Sequence, residues 1–430
     1  MEKIFSDIQR RTKIVATLGP ASSSPEVIGA MIDAGVDVFR LNFSHGSHDD
    51  HNKAIKIVRE QALLSGRYIG TIGDLQGPKI RIGQLQQEAM QLEIGDQLVL
   101  TTDADSANSK ENRVHVTYQP LPESVVAGDI LLLDDGRIRL QVLQSQGRDV
   151  SCEVTQAGKL TSRKGINRLG GGLAADAITE KDLQDLQCII ENNLEFVAVS
   201  FPSKGADLLP VRKALAAANS EAKIIAKIER AEVVENEANL QDVIDAADGV
   251  MVARGDLGVE IGDPQLIGVQ KKIIKMTRRS NKPVITATQM MESMITEPVP
   301  TRAEVFDVAN AVLDGTDAVM LSGETATGKF PAEVVTAMSD TAIGAEKHPM
   351  LSQSGYRLNL TFTDINECIA MAAMYAANHL EGISAIVCLS ESGNTPLMAS
   401  RLHSNLPIYG VSRNLMACRR MALVRGVIPV

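Results

Sequence analysis

Two hydropathy periods alternate along the 430 residues. Short apolar runs rich in β-branched residues read as buried strands, and the stretches between them carry apolar residues at helical spacing. KIVATL (13–18) is the first predicted strand. A helix follows over Pro25–Ala34, with Ser23 and Glu26 in capping-box spacing and Gly35 as its stop. VDVFRLNF (36–43), a helix over 49–64 and GTIGDL (70–75) continue the alternation. It resumes at Thr179, whose hydroxyl is placed to cap TEKDLQDLQCII, and five strands follow: EFVAVSF (195–201), KIIAKIE (223–229), GVMVARG (249–255), PVITATQ (283–289) and DAVMLSGE (317–324). Helices are expected near 206–219, 231–246, 264–280, 302–314 and 331–346. Eight βα units predict a closed (β/α)8 TIM barrel, with an open doubly wound sheet as the alternative.

Two segments break this rhythm. Residues 78–174 alternate with period two, as in LEIGDQLVL and DILLLDDGRIRLQVL, with DDG and SQGR as turns and no long helical pattern. They predict a small antiparallel β domain inserted after the third strand. Gly170–Gly172 near its end read as a hinge, since no strand is predicted before them. At the other end, INECIAMAAMYAANHL is a helix, ISAIVCLS a strand, a second helix starts near Leu397, and PIYGVS and VIPV are strands. The expected division is a barrel from 1–77 and 175–346, an insert from 78–174 and a C-terminal α/β domain from 347.

Composition narrows the class. Hydrophobic residues make up 44% and charged residues 22%, as in soluble globular chains. A net charge of -10 argues against general attraction to nucleic acid or anionic membrane, so an anionic ligand would need local Arg and Lys. No apolar run reaches membrane-spanning length, and MEKIFSDIQRRTKIV lacks a signal-peptide core. Five cysteines (152, 188, 368, 388, 418) form no CxxC pair and read as core thiols of a reducing compartment. A cytoplasmic protein is expected.

Barrels of this kind place their chemistry at the C-terminal strand ends. Those ends carry Arg40, Asn42 and Ser44; Asp74; Lys227 and Glu229; Arg254, Gly255 and Asp256; Thr286 and Thr288; Ser322 and Glu324. Glu229 and Asp256 are a hard oxygen pair suited to Mg²⁺, and Arg40 and Lys227 could meet a phosphoryl group or an oxyanion. Taken alone, Lys227 and Glu229 are as well read as a structural ion pair, and Asn42 and Ser44 as turn residues. His45 and His48 read as solvated loop histidines.

TKIVATLGPAS, FRLNFSHG, GDLQGPKIR, AKIER, MVARGDLGVE, TATQMMESM and DAVMLSGETA together resemble the pyruvate kinase family, in its domain order and over nearly the whole chain. The resemblance implies a barrel, a small β-barrel lid and a C-terminal α/β regulatory domain. It implies phosphoryl transfer from phosphoenolpyruvate to ADP, giving pyruvate and ATP, with Mg²⁺ (or Mn²⁺) at Glu229 and Asp256. Arg40 and Lys227 match the groups on the transferring phosphoryl and the enolate, and Gly255, Asp256 and Thr288 the carboxylate pocket. Asn42, Ser44, Asp74 and the carbonyl of Leu75 fall at a monovalent-cation site. Asn42, His45, Arg81 and Lys164 fall at nucleotide positions, and Thr288, Ser322 and Glu324 where a water-relayed proton donor is placed. A homotetramer is implied as well. The rival readings are a phosphoenolpyruvate/pyruvate barrel lyase that does not use ADP, and a catalytically silent metabolite-binding regulator.

Two departures from the family pattern matter. The third-strand motif reads GPKIR where K⁺-dependent members have GPEIR, so the Lys79 ammonium is expected to make K⁺ dispensable. The family's C-terminal domain usually runs several tens of residues beyond VIPV, so the effector pocket is expected to be incomplete. The loop SESGNTP, with Ser390, Ser392, Gly393, Asn394 and Thr395, is the expected site for a phosphorylated effector.

Overall fold

In a computed structural model the described residues are 10–107, 112–173, 178–351, 357 and 359–430. Residues 1–9, and with them most of the predicted non-signal N-terminus, lie outside that set, as does the start of the second barrel segment at 175. Eight parallel strands close into a barrel: β1 (Lys13–Thr17), β2 (Val38–Asn42), β3 (Gly70–Asp74), β4 (Phe196–Val199), β5 (Lys223–Ile228), β6 (Gly249–Ala253), β7 (Val284–Ala287) and β8 (Ala318–Leu321). Each pairs with its neighbours in chain order, and β8 pairs with β1. The open-sheet alternative is thereby excluded. Helices follow the strands at the expected places, from Pro25–Ala34 to Pro331–Glu346.

Local details depart from the pattern-based reading. The first helix is capped by Ser24, not Ser23: the Ser24 hydroxyl accepts from the Val27 amide. The sixth and seventh strands are shorter than the predicted 249–255 and 283–289. β6 stops at Ala253, and a helix, Arg254–Ile261, begins at once. β7 stops at Ala287, and Thr288 and Gln289 both take left-handed backbone, with φ of 70° and 54°.

The insert has its own core, built from residues such as Leu98, Leu131, Leu140 and Val150. Six strands form its main sheet, and a further pair, Ala89–Leu92 with Gly158–Thr161, lies beside it. The two edges of the main sheet meet through one short segment: Ile82 bridges to Val116 beside one edge strand, and Arg81 to Gly165 beside the other. That link curls the sheet into the small barrel the family resemblance implies. A strand, Ile166–Arg168, does precede Gly170–Gly172.

The C-terminal domain has three parallel strands, Ile386–Leu389, Ile408–Val411 and Val427–Pro429. Its second helix starts at Asn394, earlier than expected, and a third, Leu415–Met421, was missed by periodicity. Asn414 marks it, since its side-chain oxygen accepts from the amides of Met416 and Ala417.

This domain stoppers the N-terminal end of the barrel. Ala422 and Leu423 pack in one cluster with Val15, Val38, Ile72 and Ile285 from the barrel interior. Polar groups surround the stopper: Lys13 Nζ donates to the Val427 carbonyl at 2.7 Å, Arg401 pairs with Asp317, and Arg425 Nη1 reaches Thr12 Oγ1 at 2.8 Å. Glu346, at the end of the last barrel helix, accepts from the Thr12 amide and hydroxyl, both at 2.6 Å, and from the Arg11 amide at 2.8 Å. Burial alone would raise its carboxyl, but Arg425, Thr12 and the amides outweigh that and hold it below the ordinary value of 4.5. A lowered folded pKa gives stability that is present above 4.5 and lost as pH falls through the folded value. Glu346→Gln is therefore expected to lose about 1–3 kcal/mol at pH 7 and to unfold with a shallower pH dependence than wild type below pH 5. Urea denaturation at several pH values measures both; parallel pH profiles would remove Glu346 from the account.

Candidate functional site

Strand alternation puts residues two apart on the same side, so Lys227 and Glu229 at the end of β5 both turn into the barrel mouth. Around the rim a chain of contacts runs through neighbouring strands. Arg40 on β2 donates from Nη1 to Thr17 Oγ1 on β1 at 3.1 Å and from Nε to Asp74 Oδ2 on β3 at 2.6 Å. Lys227 Nζ lies 3.3 Å from Asp74 Oδ1 and 3.0 Å from Glu229 Oε1, and donates to Ser200 Oγ at 2.7 Å. Ser200, just past β4, donates in turn to the Leu75 carbonyl at 2.8 Å, and Glu229 Oε2 accepts from the Phe201 amide at 2.7 Å.

The electrostatics follow from burial against these partners. Burial pushes the Lys227 ammonium down, but Asp74 and Glu229 push it up further, so it stays charged. Burial would raise Asp74, yet Arg40 and Lys227 hold it below the usual range. Glu229 is pushed up to about 7, first by burial and then by the charge of Asp256, against the pull of Lys227. Among the buried carboxylate oxygens of the described residues two, Asp74 Oδ1 and Glu229 Oε1, have no hydrogen-bond partner and meet Lys227 only as an ion pair. Buried carboxylate oxygens left in that state suit a hard cation. Among the described residues no group of three or more His, Cys, Asp or Glu is placed to hold a metal ion.

The opposite rim is built by the helix that replaces the end of the sixth predicted strand. Its first residue, Arg254, is buried and points away from the mouth. It donates to the carbonyls of Ala287, Thr288 and Gln289 and pairs with Asp307 at 2.7 Å. It therefore supports the two left-handed residues, a conformation that is costly for a β-branched threonine. Gly255 N donates to Thr288 Oγ1 at 2.7 Å, and that hydroxyl donates to the Ala287 carbonyl at 2.6 Å. Asp256 faces the lid, where Lys79 Nζ lies 3.2 Å from it and 3.6 Å from Asp135. Burial lowers the Lys79 pKa, but the two aspartates raise it more, leaving a fixed cation. Its ion-pair partners among the described residues are Asp256 and Asp135, and not Asp74.

Other predicted residues stand apart from this ring. Asn42 Oδ1 accepts from the Ser44 amide at 3.2 Å in the loop after β2, where His45 is exposed. The His45 carbonyl meets His51 Nε2 at 3.0 Å, and His48 is tied to Asp185 at 2.7 Å. On the lid, Arg81 donates to the Arg163 carbonyl at 3.1 Å and Lys164 pairs with Asp134 at 2.6 Å. Glu324 is buried, with its carboxylate accepting from the Ser322 amide at 2.6 Å and the Met291 amide at 3.3 Å. Far from the mouth, the hydroxyls of Ser390 and Ser392 accept from the Gly393 and Asn394 amides at 3.0 and 3.3 Å, within the turn that opens a six-residue helix. Thr17 and Ser200 went unread, although the strand-end rule applied to β1 and β4 yields both.

The residues 9–335 match the family model "Pyruvate kinase, barrel domain" and 367–430 match "Pyruvate kinase, alpha/beta domain". The chain belongs to the pyruvate kinase family. Pyruvate kinase II of Salmonella typhimurium is 53% identical over 421 residues, which are 98% of this chain and 88% of that protein. The pyruvate kinase of Haemophilus influenzae is 52% identical with the same coverage. A solved pyruvate kinase from Cryptosporidium parvum superposes with a TM-score of 0.92 at 36% identity, over 100% of this chain and 90% of that one. Among the described residues no helix is long and apolar enough to cross a membrane.

Within this family member, Arg254 is expected to act through the Thr288 turn. Arg254→Lys keeps the charge but loses the planar fork that reaches three carbonyls, so about 1–3 kcal/mol of stability should go with those buried hydrogen bonds. Thermal denaturation reads the loss, and amide exchange should rise first at 288–291. An unchanged midpoint would show that the turn holds itself.

Proposed function

We propose that the barrel mouth transfers the phosphoryl group of phosphoenolpyruvate to ADP, yielding pyruvate and ATP. The observation that carries this reading is that two cations, Arg40 and Lys227, converge on the buried Asp74, whose Oδ1 has no hydrogen-bond partner. Phosphoryl transfer needs little covalent help from a protein; it needs fixed positive charge and alignment. In this reading Arg40 and Lys227 face the transferring group, and Lys227 also faces the enolate left behind. The Gly255 amide and the Thr288 hydroxyl, which satisfy each other here, turn to the substrate carboxylate. Glu324, whose carboxylate accepts from backbone amides, supports the Ser322 turn, and the proton that completes pyruvate comes through water near Thr288. Asn42, His45, Arg81 and Lys164 are assigned to the nucleotide, the last two carried by the lid.

The family generally uses Mg²⁺ and K⁺. Glu229 and Asp256 are the residues that would hold Mg²⁺ or Mn²⁺. When bound, the divalent ion supplies positive charge to the phosphoryl and enolate oxygens. Asn42, Ser44, Asp74 and the Leu75 carbonyl would take a monovalent ion. We assign Lys79 as its functional replacement by charge balance: it contacts Asp256, not the Asp74 pocket itself. The likeness extends across barrel, lid and C-terminal domain, which favours this reading over a barrel lyase or a silent regulator. A tetrameric assembly and a cytoplasmic setting belong to the same proposal.

The test is pyruvate formation from phosphoenolpyruvate and ADP with Mg²⁺, run in Na⁺ and in K⁺ buffers. Turnover is expected in both, and Lys227→Met should lower kcat by about 10²–10³-fold through the lost charge. ADP-independent conversion, or none, would remove the assignment. Lys79→Glu is expected to make turnover depend on K⁺; a variant still indifferent to K⁺ would sink the charge-balance argument while leaving the kinase.

A further inference from the structure

The helix Arg254–Ile261 is engaged at both ends. Its first turn carries Gly255 and Asp256, and its last carries Glu260, which is 5% exposed. Glu260 Oε2 accepts from the Ala231 amide at 2.8 Å, two residues past Glu229. Oε1 accepts from Asn167 Nδ2 at 3.3 Å on the final lid strand, and the Glu260 carbonyl accepts from the Gly170 amide at 2.8 Å.

The three glycines 170–172 all take left-handed backbone, with φ of 87°, 81° and 94°, and a Cβ on Gly171 would come within 2.8 Å of the Glu232 carboxyl. Glu232 also accepts from the Gly172 amide at 2.6 Å, and Arg230 donates to the Leu173 carbonyl at 2.5 Å. The exit strand of the lid is thus seated on the barrel rim by two carboxylates. One of them belongs to the short helix that presents Gly255 and Asp256.

We propose that Glu260 is a positioning residue that couples the seating of the lid's exit strand to the helix presenting Gly255 and Asp256. The inference rests on the phosphoryl-transfer reading of the mouth. An eight-residue helix is about 12 Å long at 1.5 Å per residue, and its ladder makes it move as a unit. Rotation of the lid about Gly170–Gly172 pulls on Asn167 and Gly170, and through Glu260 on that helix. Burial pushes the Glu260 carboxyl up to about 7, so a neutral amide is a fair replacement near neutral pH. Glutamine keeps an acceptor for Ala231 and can meet Asn167 once the Asn167 amide turns over.

The test compares wild type, Glu260→Ala, Glu260→Gln and Asn167→Ala by steady-state pyruvate formation and by amide exchange. Glu260→Ala and Asn167→Ala are expected to lower kcat about 10- to 100-fold, the scale of a small misplacement of reacting groups, with KM for phosphoenolpyruvate little changed. Amides at 170–172 and at 255–257 should exchange faster in both, and Glu260→Gln should restore kcat and exchange. Wild-type kcat in both variants, or exchange that rises evenly across the barrel, would overturn the coupling. Asn167→Ala touches only the lid side, so it decides the matter if Glu260→Ala does not fold. An inactive wild type would sink the phosphoryl-transfer reading instead; exchange at 255–257 in Asn167→Ala would then decide the coupling, faster exchange supporting it and unchanged exchange overturning it.

Discussion

Everything at the barrel mouth depends on how two cations and two carboxylates are buried together. Arg40, Asp74, Lys227 and Glu229 are each buried or nearly so, and an isolated charge in such a place costs several kcal/mol. Their alternation around the rim offsets that cost: Arg40 meets Asp74, Asp74 meets Lys227, and Lys227 meets Glu229. The compensation is uneven. Asp74 has two cations and titrates low, whereas Glu229 shares one with it, senses Asp256 and is pushed up to about 7. Glu229 is therefore the less compensated of the two carboxylates, since Lys79 pairs with Asp256 and Asp135 and not with it. Over a longer range, the net charge of -10 means that an anionic substrate is drawn in only by charge concentrated locally.

The other end of the barrel is closed by different means. Ala422 and Leu423 fill the bottom with apolar volume, while Arg401, Arg425 and Glu346 satisfy the polar groups of the strand starts around them. Strand starts and strand ends are thus put to separate uses: one end is packed and tied to the C-terminal domain, and the other holds charge for chemistry. The contacts at the bottom join the first strand, the last barrel helix and the C-terminal domain.

The barrel was legible because its signal is repeated. Eight apolar runs at regular intervals, each followed by an amphipathic stretch, leave few competing topologies, and reading strand ends then collects Arg40, Asp74, Lys227, Glu229 and Asp256 without knowledge of any contact. Thr17 and Ser200 were missed because a small hydroxyl at a strand end resembles any turn residue. Partner choice was not legible at all. Nothing local to GPKIR says that Lys79 reaches Asp256 and Asp135, because one contact crosses from lid to barrel and the other spans the lid, both over long sequence separations. The helix Leu415–Met421 escaped for a related reason: seven residues are too few to display a period, and only the Asn414 cap announces them.

The run Arg254–Gly255–Asp256 shows why apolar pattern and chemistry part company at such places. The apolar run continues from Gly249 to Ala253 and the charge that follows belongs to a helix, so successive residues diverge by about 100° rather than alternating between two faces. Three neighbours can then do three separate things. Arg254 turns away from the mouth to Asp307 and holds the carbonyls of a left-handed turn, Gly255 offers its amide to Thr288, and Asp256 turns to the lid. A continuing strand would put Arg254 and Asp256 on opposite sides from Gly255 and could not serve all three directions. Helix onset at the strand end is thus the local event that turns an apolar sequence into a binding rim.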